Sequence, residues 1–123
     1  MRARMVRSNC LLILIVTICA SLLGSFVPAV HADFSGKVVG IMDGDSIMVM
    51  HNGKVEQVRL QGIDCPKKKQ PFGTQAIQFT AKMVFGKEVT VMELGRDRYG
   101  RTLGKVLLSD GRILNHELLT AGY

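Results

Sequence analysis

The sequence predicts a mainly β domain with two helices, preceded by a hydrophobic signal segment. Five short runs rich in Val, Ile and other strand-forming residues are separated by turns that contain Gly. Two further stretches repeat apolar residues at helical spacing. An apolar run with three arginines before it stands ahead of all of these. The length of 123 residues allows a single domain.

Residues 1–32 have the organisation of a secretory signal peptide. Arg2, Arg4 and Arg7 precede an apolar run over residues 11–27, and the small residues Val30 and Ala32 occupy the −3 and −1 positions of a cleavage site. We therefore expect export to the periplasm or the medium, with a mature domain over residues 33–123. The alternative is an uncleaved membrane anchor, because the run approaches the length of a membrane-spanning helix.

Charge and cysteine content narrow the class of protein. The formal net charge is +6, and three of the positive charges belong to the signal segment, so the remaining excess is mild. A mild positive charge fits a polyanionic partner. Cleavage after Ala32 would leave Cys65 as the only cysteine, which excludes a disulfide scaffold.

The strands are bounded by turn dipeptides. Asn52-Gly53 is the strongest hairpin signal, since both central residues of a type I′ turn need positive φ. The predicted strands are Phe34–Met42, Ile47–His51, Val55–Gln61, Glu88–Leu94 and Arg101–Leu108.

The predicted helices follow the third and the fifth strand. The first covers Phe72–Phe85, with a buried stripe of Phe72, Ala76, Phe79, Thr80 and Met83. The second covers Ile113–Ala121, with Leu114 and Leu118 facing inward. Three strands, a helix, two strands and a helix form the layout of a five-stranded OB-type barrel.

The hairpin that follows Asp43 carries the candidate site. Asp45 stands before its first strand and Asp64 after its second, so an antiparallel pairing brings the two carboxylates into one small volume. Arg59 lies near the same end, on the strand face opposite Val58 and Leu60. Two carboxylates and an arginine suit a divalent-cation and phosphate site. Taken singly, the aspartates are ordinary turn or loop residues and the arginine an ordinary solvated strand residue.

An ordered set of motifs resembles the staphylococcal nuclease-like, or thermonuclease, family, over nearly all of residues 36–123. The motifs are Asp43-Gly44-Asp45-Ser46, Val58-Arg59-Leu60, Gly62-Ile63-Asp64-Cys65-Pro66, Gln70-Pro71-Phe72-Gly73, Asp97-Arg98-Tyr99-Gly100-Arg101 and Leu114-Asn115-His116-Glu117-Leu118. The resemblance implies an OB-type barrel that cleaves phosphodiester bonds of DNA and RNA with Ca²⁺, usually outside the cytoplasm. Nucleic acid is the expected partner, and no obligate protein partner is inferred.

The resemblance also implies roles for individual residues. Arg59 and Arg101 are similar to the family's phosphate-binding catalytic pair. Arg98 and Tyr99 match positions that line the nucleotide pocket. The implied Ca²⁺ ligands are Asp45, Asp64 and the backbone carbonyl of Cys65.

The sequence departs from the family pattern at two places. Lys67 stands where the family has the glutamate that acts as general base, and an ordinary lysine is protonated at pH 7. The sequence also ends at Tyr123, where the family continues with aromatic pocket residues and a further helix. We therefore expect a domain that lacks its final helix.

These features leave three functions open. The motif set favours an exported nuclease. Lys67 favours a module that binds nucleic acid without cutting it, in which Lys67, Lys68 and Lys69 contact the phosphate groups of the backbone. The missing carboxyl-terminal segment favours a remnant without function.

Overall fold

The computed structural model describes residues 32–123, which form a five-stranded barrel with two helices. The strands are β1 (Phe34–Asp43), β2 (Ser46–His51), β3 (Lys54–Leu60), β4 (Glu88–Arg96) and β5 (Thr102–Leu107); the helices are α1 (Gly73–Val84) and α2 (Leu114–Thr120). The predicted five-stranded barrel with two helices is confirmed, and the element ends shift by one or two residues. The predicted signal peptide lies outside the described residues except for Ala32. Within residues 32–123, none of the helices has the length and apolarity needed to cross a membrane.

The barrel closes in the strand order β1-β2-β3-β5-β4, with β1 also paired to β4. The β2–β3 hairpin turns at Asn52 and Gly53, whose φ angles of 49° and 74° are both positive, as the predicted type I′ turn requires. The β3–β5 pair is parallel, with Val58 opposite Thr102. This pairing places the end of β3 and the start of β5 side by side.

Alternation along the strands builds the core. Ile47 and Val49 of β2 and Val58 and Leu60 of β3 are buried, and Arg59 points away between the last two. From α2, Leu114 and Leu118 are fully buried, as predicted. The core therefore occupies the barrel interior and the interfaces with the two helices.

The predicted buried stripe of α1 is wrong at Phe72. Ala76 and Thr80 are fully buried, and Phe79 and Met83 pack against the core, but the Phe72 side chain is 67% exposed. Phe72 is the N-cap residue and adopts the left-handed conformation, with φ of 64°. The chain thus turns at this residue and directs the ring to solvent instead of along the helical stripe.

Helix α1 packs against the β1–β2 turn and holds it in place. The Thr80 hydroxyl donates to the Gly44 carbonyl at 2.6 Å. A Cβ atom on Gly44 would approach that of Ala76 to 2.8 Å, closer than real side chains allow. Gly44 therefore lets the turn pack directly against the helix. As a result the next residue, Asp45, is buried.

Candidate functional site

The structure brings Asp45 and Asp64 together, as the hairpin geometry predicts. Asp45 lies in the β1–β2 turn and is fully buried, whereas Asp64 follows β3 and its side chain is 81% exposed. Both carboxylates are within 3.7 Å of the same two cationic groups, those of Arg59 and Lys67. The site thus consists of one interior and one surface carboxylate joined by shared counter-charges.

Asp45 is held by a set of donors that compensates its burial. Its Oδ2 accepts the Cys65 N–H at 2.9 Å, and its Oδ1 accepts the Ser46 hydroxyl at 3.3 Å. Arg59 Nη1 lies 3.3 Å from Oδ2 and Lys67 Nζ lies 3.5 Å from it. A buried carboxylate without such partners would be strongly destabilising.

Arg59 is fixed by backbone carbonyls as well as by carboxylates. Its Nη1 donates to the carbonyls of Leu60, at 2.8 Å, and of Ile63, at 2.6 Å. Its Nη2 donates to Asp64 Oδ1 at 3.3 Å. Both Nη1 hydrogens are thus donated to backbone carbonyls, so the attraction between Arg59 and Asp45 is mainly Coulombic.

Arg101 immediately precedes β5, because the strand begins at Thr102, one residue later than predicted. Its Nε donates to Asp97 Oδ2 at 2.7 Å, and its backbone N–H donates to Asp97 Oδ1 at 2.8 Å. Burial works to raise the pKa of Asp97, but hydrogen bonds from Arg101 and from the Tyr99 backbone outweigh it and hold this pKa below the ordinary value. Asp97 is therefore an anion that orients Arg101, a role that sequence reasoning missed although Asp97 belongs to a quoted motif.

The two predicted arginines line one cavity of about 260 Å³. Arg98 and Tyr99 line it as well, which brings the predicted phosphate-binding and substrate-binding residues together. Tyr99 is 70% exposed, and its ring centroid lies 4.9 Å from the guanidinium carbon of Arg98. A larger cavity of about 470 Å³, next to His51 and Glu56, contains none of the predicted site residues.

The backbone N–H of Cys65 donates to Asp45, whereas the resemblance implies that the backbone carbonyl of Cys65 is a Ca²⁺ ligand. Its side chain is buried, and this burial, with the Asp45 charge adding to it, raises the pKa of the thiol to about 11. The thiol is therefore protonated at neutral pH and acts as a core side chain.

The donor set does not suit a resident Ca²⁺ ion. Calcium takes six to eight oxygen ligands. Here the two carboxylates have an ammonium group between them, and within residues 32–123 no group of three or more His, Cys, Asp or Glu side chains could hold a metal ion. The assignment of Asp45, Asp64 and Cys65 as Ca²⁺ ligands stays a prediction from the resemblance.

The fold and the site define a closed OB-type barrel with an arginine-lined cavity at one end of β3 and β5. The family profile described as "Staphylococcal nuclease homologue" matches residues 57–123, and the chain belongs to this family.

Three relatives illustrate the similarity. An "Uncharacterized endonuclease" of Escherichia coli O157:H7 is 44% identical over 95 residues, which cover 77% of this chain and 62% of the relative. A "Micrococcal nuclease" of Shigella flexneri is 52% identical over 80 residues, covering 65% and 45%. A "Thermonuclease" of Staphylococcus hyicus is 34% identical over 94 residues, covering 70% and 55%. The chain thus spans less than two thirds of the length of these relatives.

Proposed function

We propose that this chain binds the sugar–phosphate backbone of DNA or RNA at the cavity between Arg59 and Arg101 and hydrolyses its phosphodiester bonds, after export from the cytoplasm. One observation carries the proposal: two arginines, one from β3 and one from the turn before β5, line the same cavity in a domain of the nuclease family. The relatives named as nucleases support the same reaction. The signal-peptide pattern of residues 1–32 supports export.

The arginines suit the charge that develops during hydrolysis. Attack on a phosphodiester concentrates negative charge on the phosphoryl oxygens, and fixed guanidinium groups stabilise this charge. Arg59 is oriented by the Leu60 and Ile63 carbonyls, and Arg101 by Asp97. Both groups are thus oriented before substrate binds, which lowers the reorganisation that the reaction requires.

Tyr99 supplies a surface for a nucleotide base. Its ring is largely exposed at the cavity rim, with the guanidinium carbons of Arg98 and Arg101 at 4.9 and 5.7 Å from its centroid. Bases stack on exposed aromatic rings with little regard to sequence, while arginines track the backbone. This arrangement favours single-stranded or locally unpaired nucleic acid as the substrate.

A second candidate function is binding without hydrolysis. Lys67 occupies the position of the family's general base, and its ammonium group lies at ion-pair distance from Asp45 and Asp64. A protonated lysine cannot accept a proton from the attacking water. On this alternative the arginine-lined cavity still binds the backbone, with an affinity that falls steeply as salt rises.

Cleavage and binding assays on fluorescently labelled single-stranded DNA decide between the two functions. We would compare the full chain with Arg101→Met, each with Ca²⁺ and with EDTA. Removing one charge-stabilising group is expected to slow cleavage by about 10²–10³-fold. Arg112→Met is the matched control, because Arg112 pairs with Asp110 and does not line the cavity.

The outcomes separate cleanly. Cleavage that is lost with Arg101→Met and kept with Arg112→Met supports the hydrolase. Salt-sensitive binding without cleavage supports the second candidate. A chain that neither binds nor cuts the DNA refutes both.

A further inference from the structure

Lys67 stands between the two carboxylates of the site. Its Nζ lies 3.5 Å from Asp45 Oδ2 and 3.7 Å from Asp64 Oδ1. Arg59 contacts the same two oxygen atoms, each at 3.3 Å. Four charged groups therefore form one closed cluster, in which each cation touches both anions.

The charges of this cluster cancel. Two carboxylates, one guanidinium and one ammonium have a formal sum of zero. A divalent cation added between the carboxylates would leave two excess positive charges beside the fully buried Asp45. Like charges a few ångströms apart in a partly buried site repel strongly.

The backbone of Lys67 is fixed by its own loop. Its N–H donates to the Gln70 side-chain oxygen at 2.8 Å, and its carbonyl accepts the Gln70 N–H at 2.8 Å. A Cβ atom on Gly73 would overlap that carbonyl, so only glycine lets the start of α1 pack against the loop. The loop thus fixes the backbone position from which the Lys67 side chain extends to the two carboxylates.

We propose that the Lys67 ammonium group is a built-in cation that takes the place of a divalent metal ion between Asp45 and Asp64. The folded chain holds its carboxylate pair without binding Ca²⁺. The inference deepens the proposed function and rests on it for the role of the site, but its test needs no nucleic acid.

The test measures Ca²⁺ binding by the full chain through calorimetric titration and through thermal unfolding with Ca²⁺ or EDTA. The native chain is expected to give no binding heat and the same Tm in both. Lys67→Glu replaces the cation by a third carboxylate and gives the cluster a formal charge of −2. We expect this variant to bind Ca²⁺, with a rise in Tm of at least about 5 °C at saturating Ca²⁺.

Lys69→Glu is the matched control, since it makes the same charge change in the same loop. Lys69 is exposed and forms no ion pair within residues 32–123. We expect its Tm to be insensitive to Ca²⁺. A response equal to that of Lys67→Glu would show that loop charge alone attracts the ion, and would overturn the proposal.

Two further outcomes would overturn it. The first is Ca²⁺ binding by the native chain, which needs no variant to fold. The second is a folded Lys67→Glu chain without Ca²⁺ binding. If Lys67→Glu does not fold, Lys67→Gln replaces it: weak Ca²⁺ binding that the native chain lacks would support the proposal, and its absence would refute it. DNA cleavage that fails throughout would count against the proposed function alone.

Discussion

Asn115 joins helix α2 to the β3–β5 end of the barrel, and its removal should be costly. The side chain is 5% exposed. Its Oδ1 accepts the Val106 N–H at 3.1 Å, and its Nδ2 donates to the carbonyls of Gln61 at 2.9 Å and Gly104 at 3.2 Å. We predict that Asn115→Ala lowers the free energy of unfolding by about 3 kcal/mol, from lost hydrogen bonds and a small cavity.

The magnitude follows from what each partner can do afterwards. The Val106 N–H is buried and loses its acceptor, which costs about 1–3 kcal/mol. Gln61 is exposed, so water can replace its lost donor at about 1 kcal/mol or less. The Gly104 carbonyl keeps the Gln61 N–H at 2.9 Å. The small cavity left behind adds about 1 kcal/mol.

Urea unfolding followed by circular dichroism measures this loss on the full chain. His116→Ala is the control, because His116 is exposed on the same helix and should change the free energy by less than about 0.5 kcal/mol. A loss below about 1 kcal/mol for Asn115→Ala, at an unchanged m-value, would refute the reasoning.

Two other predictions concern residues around the site. Asp97→Asn keeps the size of the side chain but removes the charge that orients Arg101, so affinity for single-stranded DNA should fall by about 3- to 10-fold at low salt, measured by fluorescence anisotropy; equal affinity would show that Arg101 is held by other groups. Cys65 should resist a thiol reagent in the folded chain at pH 8 and react fully in urea, because it is buried and its thiol pKa is raised to about 11. Since the folded pKa lies above the ordinary 9.0, the stability linked to this thiol is complete below pH 9 and is lost as pH rises towards 11. Peptide mapping distinguishes Cys65 from Cys10 and Cys19, and rapid labelling of Cys65 at pH 8 without urea would contradict its burial.

The strands and the hairpin were predictable because local patterns determine them. Alternation placed Arg59 opposite Val58 and Leu60, and the Asn52-Gly53 dipeptide located the β2–β3 turn. The prediction that Phe72 is buried was wrong for a local reason as well, because the left-handed turn before α1 interrupts the helical period.

The different burial of the two site aspartates could not be predicted from their spacing in the sequence. Asp45 and Asp64 look alike in the sequence, yet one is fully buried and the other exposed. The difference arises from packing between distant segments, since the turn that carries Asp45 lies on Ala76 and Thr80 of α1. Likewise, the ion pairs of Lys67 depend on a loop conformation that no periodicity encodes.

The two proposals for this site, anion binding by the arginines and charge balance of the aspartates by Lys67, can be tested separately because different parts of the chain carry them. Arg59 shares its two carboxylate partners with Lys67 but is also fixed by the Leu60 and Ile63 carbonyls, and Arg101 is held by Asp97. We therefore expect the cavity between the two arginines to persist when Lys67 is replaced. The charge balance of the two aspartates, in contrast, depends on one half-exposed loop side chain. We therefore expect a change at position 67 to alter which ions the carboxylates attract while the two arginines proposed to bind phosphate keep their positions. Nucleic-acid affinity that is nearly equal in the native chain and in Lys67→Gln, together with a Ca²⁺ response that differs, is the result this separation requires.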